Sequence, residues 1–506
     1  MSGIVAAHGP FDPAVGQRML DRLAHRGPDG EGTRALDGAW LGHRWLAIAD
    51  LAHGGHPLST PAGDLWLVGD GEIYNHDVLR EELGEDRFRT RSDHEVALHL
   101  YDTLGLAALE RLWGTFALVI AGEDGRFLAG RDTLGVAPLY WSRRGDTVVF
   151  ASELKAFEDE WRRSVEPFPP GHAWTPEDGL VAWRPSPTGA PVLLRSYDPD
   201  EQPPRWVFEA VRHSVVRAVE QQMDVDVPVG VFLSGGVDSS IVTAIAARAA
   251  HRNGSLLPTF SAGLAGSPDV LAARAVAEHA GTEHRELIYT ADDAVAIVPD
   301  VIAVLESFDP TLVHSAVPNH LLSMFARRFI KAVLVGEGAD ELFAGYAHLE
   351  DVAGAEALHG ELTEMIGAMH LGALQRVDRV TSANALEPRI PFLDLDVVEL
   401  ALALPPAWKL VGPGRPSKWL LRRAFDGWVP AEILWREKEQ FGEGTGMDTV
   451  LRDHFEATVS DEDLARERHV VDPPLRTREE LAYYRLFTER LPGVPADGTV
   501  GRFVQA

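Results

Sequence analysis

The 506-residue sequence contains no cysteine, which excludes disulfides, thiolate zinc sites, iron–sulfur clusters and any cysteine nucleophile. Basic residues are scarce beside acidic ones: 47 Lys+Arg against 76 Asp+Glu leave a formal charge of −29 at pH 7. Such a surface repels phosphate backbones and anionic lipid, so no nucleic acid and no membrane is expected as a partner, and small molecules are. No apolar run approaches the ~18 residues of a membrane span. The opening Met1-Ser2-Gly3-Ile4-Val5-Ala6-Ala7-His8 lacks the basic start and sustained apolar stretch of a signal peptide, so a cytoplasmic protein is expected. Internal repeats and long low-complexity tracts are also missing. What remains is a 45% hydrophobic chain too long for one ordinary domain, which predicts a globular protein of two domains.

Proline and glycine crowd the stretch from Pro167 to Pro204 and mark the expected boundary, giving domains over residues 1–195 and 205–506. Before it, short β-type runs such as Leu65–Val68, Phe116–Ile120 and Val148–Ala151 alternate with Asp/Gly turns, which predicts a sheet-rich domain. After it, apolar strands (Val227–Leu233, Leu257–Phe260) alternate with helical patterns (Val207–Val219, Ile241–Ala250, Val270–Ala280), the pattern of a doubly wound α/β domain. From about Ala353 onward the pattern is mostly helical, with an amphipathic helix over Glu479–Phe487.

Three segments carry chemistry. The strand ending at Leu233 feeds Ser234-Gly235-Gly236-Val237-Asp238-Ser239-Ser240 at the start of a helix. Two glycines let backbone N–H groups approach an anion, the helix dipole adds to them, and serine hydroxyls can donate to phosphate oxygens. Asp238 would repel a bare phosphate, so a divalent cation is expected between them. No Gly-Lys-Ser/Thr closes the loop, so it is not a Walker sequence. It resembles the pyrophosphate loop of the N-type ATP pyrophosphatases. About a hundred residues later the strand Lys331–Val335 runs into Gly336-Glu337-Gly338-Ala339-Asp340-Glu341, placing carboxylates at a strand's C-terminal end, where open α/β sheets bind ligands. The third segment, Trp435 to Gly444, contains Lys438, which gains significance only from the other two. His53 and His56 lack further ligands and read as loop residues rather than a metal pair.

Together these segments resemble asparagine synthetase. The resemblance extends to His25-Arg26-Gly27-Pro28-Asp29, Gly71-Glu72-Ile73-Tyr74-Asn75, Gly130-Arg131-Asp132, Ala151-Ser152-Glu153-Leu154-Lys155, Glu387–Asp394 and Lys418 to Arg422, over essentially the whole chain. It implies an N-terminal Ntn-hydrolase-like glutaminase domain, a four-layer α/β/β/α sandwich, joined to a doubly wound α/β ATP-pyrophosphatase (synthetase) domain. It also implies ATP and Mg²⁺ as cofactors and a homodimer. Ser234, Gly235, Gly236, Ser239 and Ser240 would hold pyrophosphate; Asp238 and Asp340 would be the Mg²⁺-linked carboxylates; Leu233, Ala262 and Gly336 would line the adenosine site. Lys438 would stabilise the adenylation and acyl-transfer transition states, and Glu337 would position the incoming amine and take its proton.

The sequence also departs from that family. Ser2 stands where glutamine-dependent members have the nucleophilic cysteine, and serine serves as nucleophile in other Ntn hydrolases. Trp45 replaces an arginine that grips the glutamine carboxylate, Asp70 replaces an oxyanion-donating asparagine, and Arg91 replaces a glycine, while Asp93, which would meet the glutamine amine, is retained. A carboxylate at Asp70 would repel developing negative charge. The resulting expectation is a glutamine-independent ligase that adenylates a small carboxylic acid and transfers it to ammonia or a small amine, with a silent first domain. The alternatives are ring closure of the β-lactam synthetase or carbapenam synthetase type in an antibiotic pathway, against which Glu337 replaces the tyrosine of those enzymes, and a glutamine-dependent asparagine synthetase using Ser2. His314, where asparagine synthetase has an arginine, is a candidate for the substrate pocket.

Overall fold

The computed structural model describes residues 2–48, 50, 55–184, 202–412, 414–436 and 447–503. The first half contains two six-stranded antiparallel sheets. One runs, edge to edge, Val165–Pro167, Tyr140–Arg144, Thr147–Ala151, Gly3–His8, Ala39–Trp45, Gly30–Leu36; the other runs Gly179–Ala182, His172–Thr175, Phe127–Arg131, Gly114–Gly122, Leu65–Ile73, Leu58–Ser59. Strand periodicity explains the layering, because successive side chains point to opposite faces. In Gly3–His8, Ile4 and Ala6 join Leu41, Val68, Ala117, Val119 and Phe150 in the core between the sheets. Val5 and Ala7 face the other way, onto Met19 and Leu20 of helix Pro13–Asp21. Leu65, Leu67, Leu118 and Ile120 of the second sheet likewise cover Val96 and Leu100 of helix Glu95–Leu104. The outcome is the expected helix–sheet–sheet–helix sandwich.

The second half is built on a five-stranded parallel sheet in the order Glu283–Ile288, Pro258–Gly263, Val229–Phe232, Ala332–Leu334, Glu387–Arg389. Val229–Phe232 is central: Val231 lies opposite Thr259 on one side and Leu334 on the other. The chain winds outward through Pro258–Gly263 to Glu283–Ile288, then returns to the opposite side, so the winding reverses between Val229–Phe232 and Ala332–Leu334. In open α/β sheets ligands bind at that reversal, outside the strands' carboxyl ends.

Two strands differ from expectation. Glu283–Ile288 is an edge strand of mixed polarity without a buried apolar face, so its sequence carries little strand signal. Glu387–Arg389 lies within the stretch read as helical; it is three residues long, contains Pro388, and sits at a sheet edge, where proline is tolerated. The amphipathic helix is observed as Arg478–Arg490. The expected domain boundary overlaps residues 185–201, outside the described residues. The two halves share an apolar core and several buried ion pairs. Among the described residues no helix is long and apolar enough to cross a membrane.

Candidate active sites

The cleft at the switch point is assembled from both strand ends. Leu233 donates its N–H to Phe260 O at 2.8 Å, which ties the end of the central strand to its neighbour. Gly235 then turns with φ +77°, and a Cβ there would lie 2.5 Å from Ala272 Cβ, so the close approach of this loop to helix Pro268–Ala280 requires glycine. Ser239 Oγ accepts from Ser234 N at 3.2 Å and meets Ser234 Oγ at 3.1 Å, pre-shaping the loop before helix Val237–Arg252. The first N–H groups of that helix have no intrahelical partners and, with its dipole, favour an anion. Ser240 Oγ is buried and has no hydrogen-bond partner among the described residues.

Across the cleft, Ala332–Leu334 leads into Gly336, Glu337 and Gly338, the last with φ +96° ahead of helix Ala339–Phe343. Gly336 lies against Asp238, where a Cβ would come within 3.0 Å of the Asp238 Cβ. Lys418 Nζ bridges Asp238 Oδ2 at 2.5 Å and Asp340 Oδ1 at 2.8 Å. Burial pulls the Lys418 amine down, but the two carboxylates outweigh it and raise it above the ordinary lysine range, so it is an ammonium ion at neutral pH. Two carboxylates converging on one small cation suit a hard, oxygen-liganded metal. No group of three or more His, Cys, Asp or Glu side chains arranged to hold a metal occurs among the described residues. Two carboxylates could hold a divalent cation only together with oxygens from a ligand, such as phosphates.

Leu233, Ser234, Gly236, Asp238, Ser239, Ala262, Gly336, Glu337 and Asp340 all line this one cleft. Gly235 turns away toward Ala272, and Ser240 lies beneath the loop. Lys438 lies outside the described residues, as does His53. His314 is not brought to the cleft: its Nε2 meets Glu479 Oε1 at 2.6 Å, and Tyr483 OH donates to the same oxygen at 2.8 Å. A histidine beside a buried carboxylate is held in place by that partner, and the pair packs helix Arg478–Arg490 onto helix Pro310–Ala326. Sequence reasoning missed Arg376, whose Nη2 contacts Glu337 Oε1 at 3.1 Å from helix Ala373–Ser382. Nothing in the local sequence distinguishes it from a surface arginine.

The first half holds a second cluster. Ser2 N donates to Asp70 Oδ1 at 2.5 Å, and Ser2 O accepts from Arg26 Nε at 2.7 Å. Arg26, fully buried, also pairs with Asp70 Oδ2 (2.9 Å), Glu153 Oε1 (2.8 Å) and Asp378 Oδ2 (2.9 Å), the last from the second half. Asp93 accepts from Ile73 N at 2.6 Å and meets His94 Nδ1 at 3.2 Å. Burial pushes the Asp93 carboxyl up, but the His94 ring and the Ile73 N–H prevail and hold it down at about 2. Trp45 packs its ring against Gly30 and Gly55.

The loop reading of His56 missed its surroundings: it is buried and stacks on His43 with ring centroids 4.3 Å apart, and His94 stands edge-on at 5.4 Å. His43 Nε2 meets Gly69 O at 2.9 Å and His56 Nδ1 accepts from Gly69 N at 3.1 Å, so two imidazoles hold both backbone polar groups of Gly69, the residue before Asp70. Burial lowers His43 to about 3, keeping it neutral. The three histidines are scattered in sequence, so only the fold brings them together.

Comparison with known proteins connects both sites. The family model described as asparagine synthase matches residues 210–353 and 348–482, and that of a glutamine amidotransferase domain matches residues 1–167. The chain is 38% identical to asparagine synthetase [glutamine-hydrolyzing] 2 of Arabidopsis thaliana, over 99% of this chain and 89% of that one. The enzymes of that name from Triphysaria versicolor (38% identical; 97% of this chain, 86% of that one) and Sandersonia aurantiaca (37%; 97% and 96%) are similarly close. This chain belongs to the asparagine synthetase family. It is an ATP-dependent ligase forming C–N bonds, with an Ntn-type amidotransferase half and an ATP-pyrophosphatase half.

For this asparagine synthetase family member, the expectation of a glutamine-independent ligase with a silent first domain is corrected. The amidotransferase half matches its family model, and the near-full-length relatives carry glutamine hydrolysis in their names. The premise about Asp70 changes as well: its carboxylate is not a bare charge, because Arg26 pairs with it.

Proposed function

We propose that the chain is a glutamine-dependent asparagine synthetase, with domains over residues 1–195 and 205–506, acting in the cytoplasm as a homodimer. The near-full-length match to glutamine-hydrolysing relatives carries this reading. In the first half, removal of Met1 frees the Ser2 amine, and Ser2 Oγ attacks the glutamine amide carbon. Ammonia leaves, and water then cleaves the ester to glutamate. Asp70 and Arg26 fix the nitrogen and carbonyl of residue 2 and so orient Oγ.

In the second half, Ser234, Gly235, Gly236, Ser239 and Ser240 cradle the β- and γ-phosphates of ATP, and Leu233, Ala262 and Gly336 line its adenosine site. An aspartate carboxylate oxygen attacks the α-phosphorus, the bond to pyrophosphate breaks, and aspartyl-AMP forms. Asp238 and Asp340 would hold Mg²⁺, which supplies charge neutralisation on the phosphates. Ammonia attacks the acyl carbon, AMP leaves, and Glu337, anchored by Arg376, accepts the proton. Lys438 would add positive charge to the crowded oxygens.

The test is to supply amide-nitrogen-labelled glutamine, aspartate, ATP and Mg²⁺ and follow asparagine by mass spectrometry. Labelled asparagine is expected, lost in Ser2→Ala while ammonium-supported synthesis persists. Asparagine formed from ammonium but not from glutamine in the unaltered protein would refute glutamine dependence. No asparagine from either nitrogen source would refute aspartate as the acid.

A further inference from the structure

Lys418 is held with unusual insistence. It is 2% exposed and non-glycine, yet its φ is +57°, and Ala344, whose carbonyl accepts the Lys418 N–H at 3.3 Å, has φ +55°. Left-handed conformations at two residues bearing Cβ atoms persist only where the surroundings over-determine them, and they concentrate at functional sites. Between these elements, a Cβ at Gly345 would overlap both Asp340 Oδ1 and Lys418 Cε, so glycine is needed for the ammonium to reach the carboxylate at all. The neighbouring cation, Arg422, is committed elsewhere: its guanidinium donates to Ser417 O at 2.8 Å, Leu434 O at 2.5 Å and Arg436 O at 3.0 Å. The backbone is thus shaped to place the Lys418 ammonium across Asp238 and Asp340.

We propose that Lys418 is an internal counter-ion occupying the divalent-cation position between Asp238 and Asp340, so that the metal enters only together with the nucleotide. The inference rests on the assignment of those two carboxylates to Mg²⁺. A free Mg²⁺ ion would have to shed water and expel a partnered, desolvated ammonium for two carboxylate ligands, an exchange of one cation for another with little gain. A polyphosphate changes the balance twice. Its oxygens supply the metal's missing ligands, and they give the displaced ammonium new anionic partners. Lys418 is then a positioning residue that sets the order of loading and protects the paired carboxylates from mutual repulsion while the cleft is empty.

Calorimetric titration of the full chain with MgCl₂ alone, and again with a non-hydrolysable ATP analogue present, tests this without reference to turnover. The unaltered protein is expected to bind Mg²⁺ alone at least on the order of tenfold more weakly than Lys418→Met, as removal of a cation beside the site predicts. Addition of the analogue should narrow that gap. Lys418→Gln carries the same comparison should Lys418→Met fail to fold. Equal Mg²⁺ affinity in the unaltered and altered proteins without nucleotide overturns the counter-ion role. Absence of Mg²⁺ binding in every protein even with the analogue removes the metal assignment, and the inference with it.

Discussion

The Arg26 cluster and the Lys418 cluster solve the same problem, one cation shared among several carboxylates, with opposite accessibility. Arg26 and its partners Asp70, Glu153 and Asp378 have side chains between 0% and 3% exposed. Around Lys418 the carboxylates of Asp238 and Asp340 retain 17% and 21% exposure and open onto the cleft. A guanidinium with five donors can satisfy three carboxylates in fixed geometry and seal them from water, whereas an ammonium on a flexible stem can be exchanged. The sealed cluster joins the two halves of the chain, because Asp378 approaches Arg26 from helix Ala373–Ser382, two residues beyond Arg376 of the synthetase cleft. The two clusters thus differ in access: one shared cation stays open to the cleft, while the other is closed over by both halves and also holds the backbone of Ser2.

The comparison breaks hardest at Arg26. Arg26→Met strands three buried carboxylates, and loss of one partner of a buried pair costs about 3–5 kcal/mol. Denaturant unfolding should register a loss of that size, with glutamine hydrolysis and amide formation failing together. A change below about 1 kcal/mol would mean that the sealed network relaxes freely and does not join the halves.

Asp340→Asn probes the open cluster. It removes one of the two carboxylates proposed to hold Mg²⁺ and is expected to lower amide formation by about 10²–10³-fold, the usual scale for losing a preorganised electrostatic partner. Lys418 keeps its bond to Asp238, so stability should change little and glutaminase turnover should persist. Parallel loss of glutaminase turnover would show that the two clusters are not separable.

Ser2→Cys sharpens the contrast from the other side. Thiolate is intrinsically more nucleophilic than a serine hydroxyl, so glutamine-supported synthesis should rise by about tenfold, with ammonium-supported synthesis unchanged. A decline would show that the Asp70 and Arg26 contacts around residue 2 are fitted to the smaller hydroxyl.

Legibility in the sequence followed locality. Ser234–Ser240 and Gly336–Asp340 are contiguous, each sits at the end of an apolar strand, and both occupy the cleft where a doubly wound sheet places ligands. The sheet-rich character of the first half was legible in the runs Leu65–Val68, Phe116–Ile120 and Val148–Ala151, whereas the sandwich itself was implied only by the family resemblance. Arg376, the pairing of Asp70 with Arg26, and the His43, His56, His94 stack depend on contacts between segments far apart in sequence, so single-segment reading has no signal for them. The reading of Asp70 as an unpartnered charge lacked its partner for the same reason: Arg26 lies 44 residues away. His314 lies away from the cleft lining because Glu479, from another helix, holds its ring, a contact that no single segment of the sequence reveals.

Lys409 supplies the limiting case of a buried amine with no carboxylate partner among the described residues. It is 4% exposed, its Nζ donates to Ala401 O at 2.5 Å, and burial lowers it to about 7. In the unfolded chain a lysine titrates near ~10.4. Between about pH 7 and pH 10 the unfolded state therefore binds a proton that the folded state does not, and stability rises with pH by up to ~1.4 kcal/mol per unit from this group. Below pH 7 both states are protonated and the full desolvation cost is present. Lys409→Met removes that slope, so its advantage over the unaltered protein should be largest near pH 6.5 and shrink steadily toward pH 9.5, read from urea midpoints. Parallel pH dependences would mean that Lys409 keeps its charge when buried, and that one carbonyl holds an ammonium in this fold as well as the two carboxylates around Lys418 do.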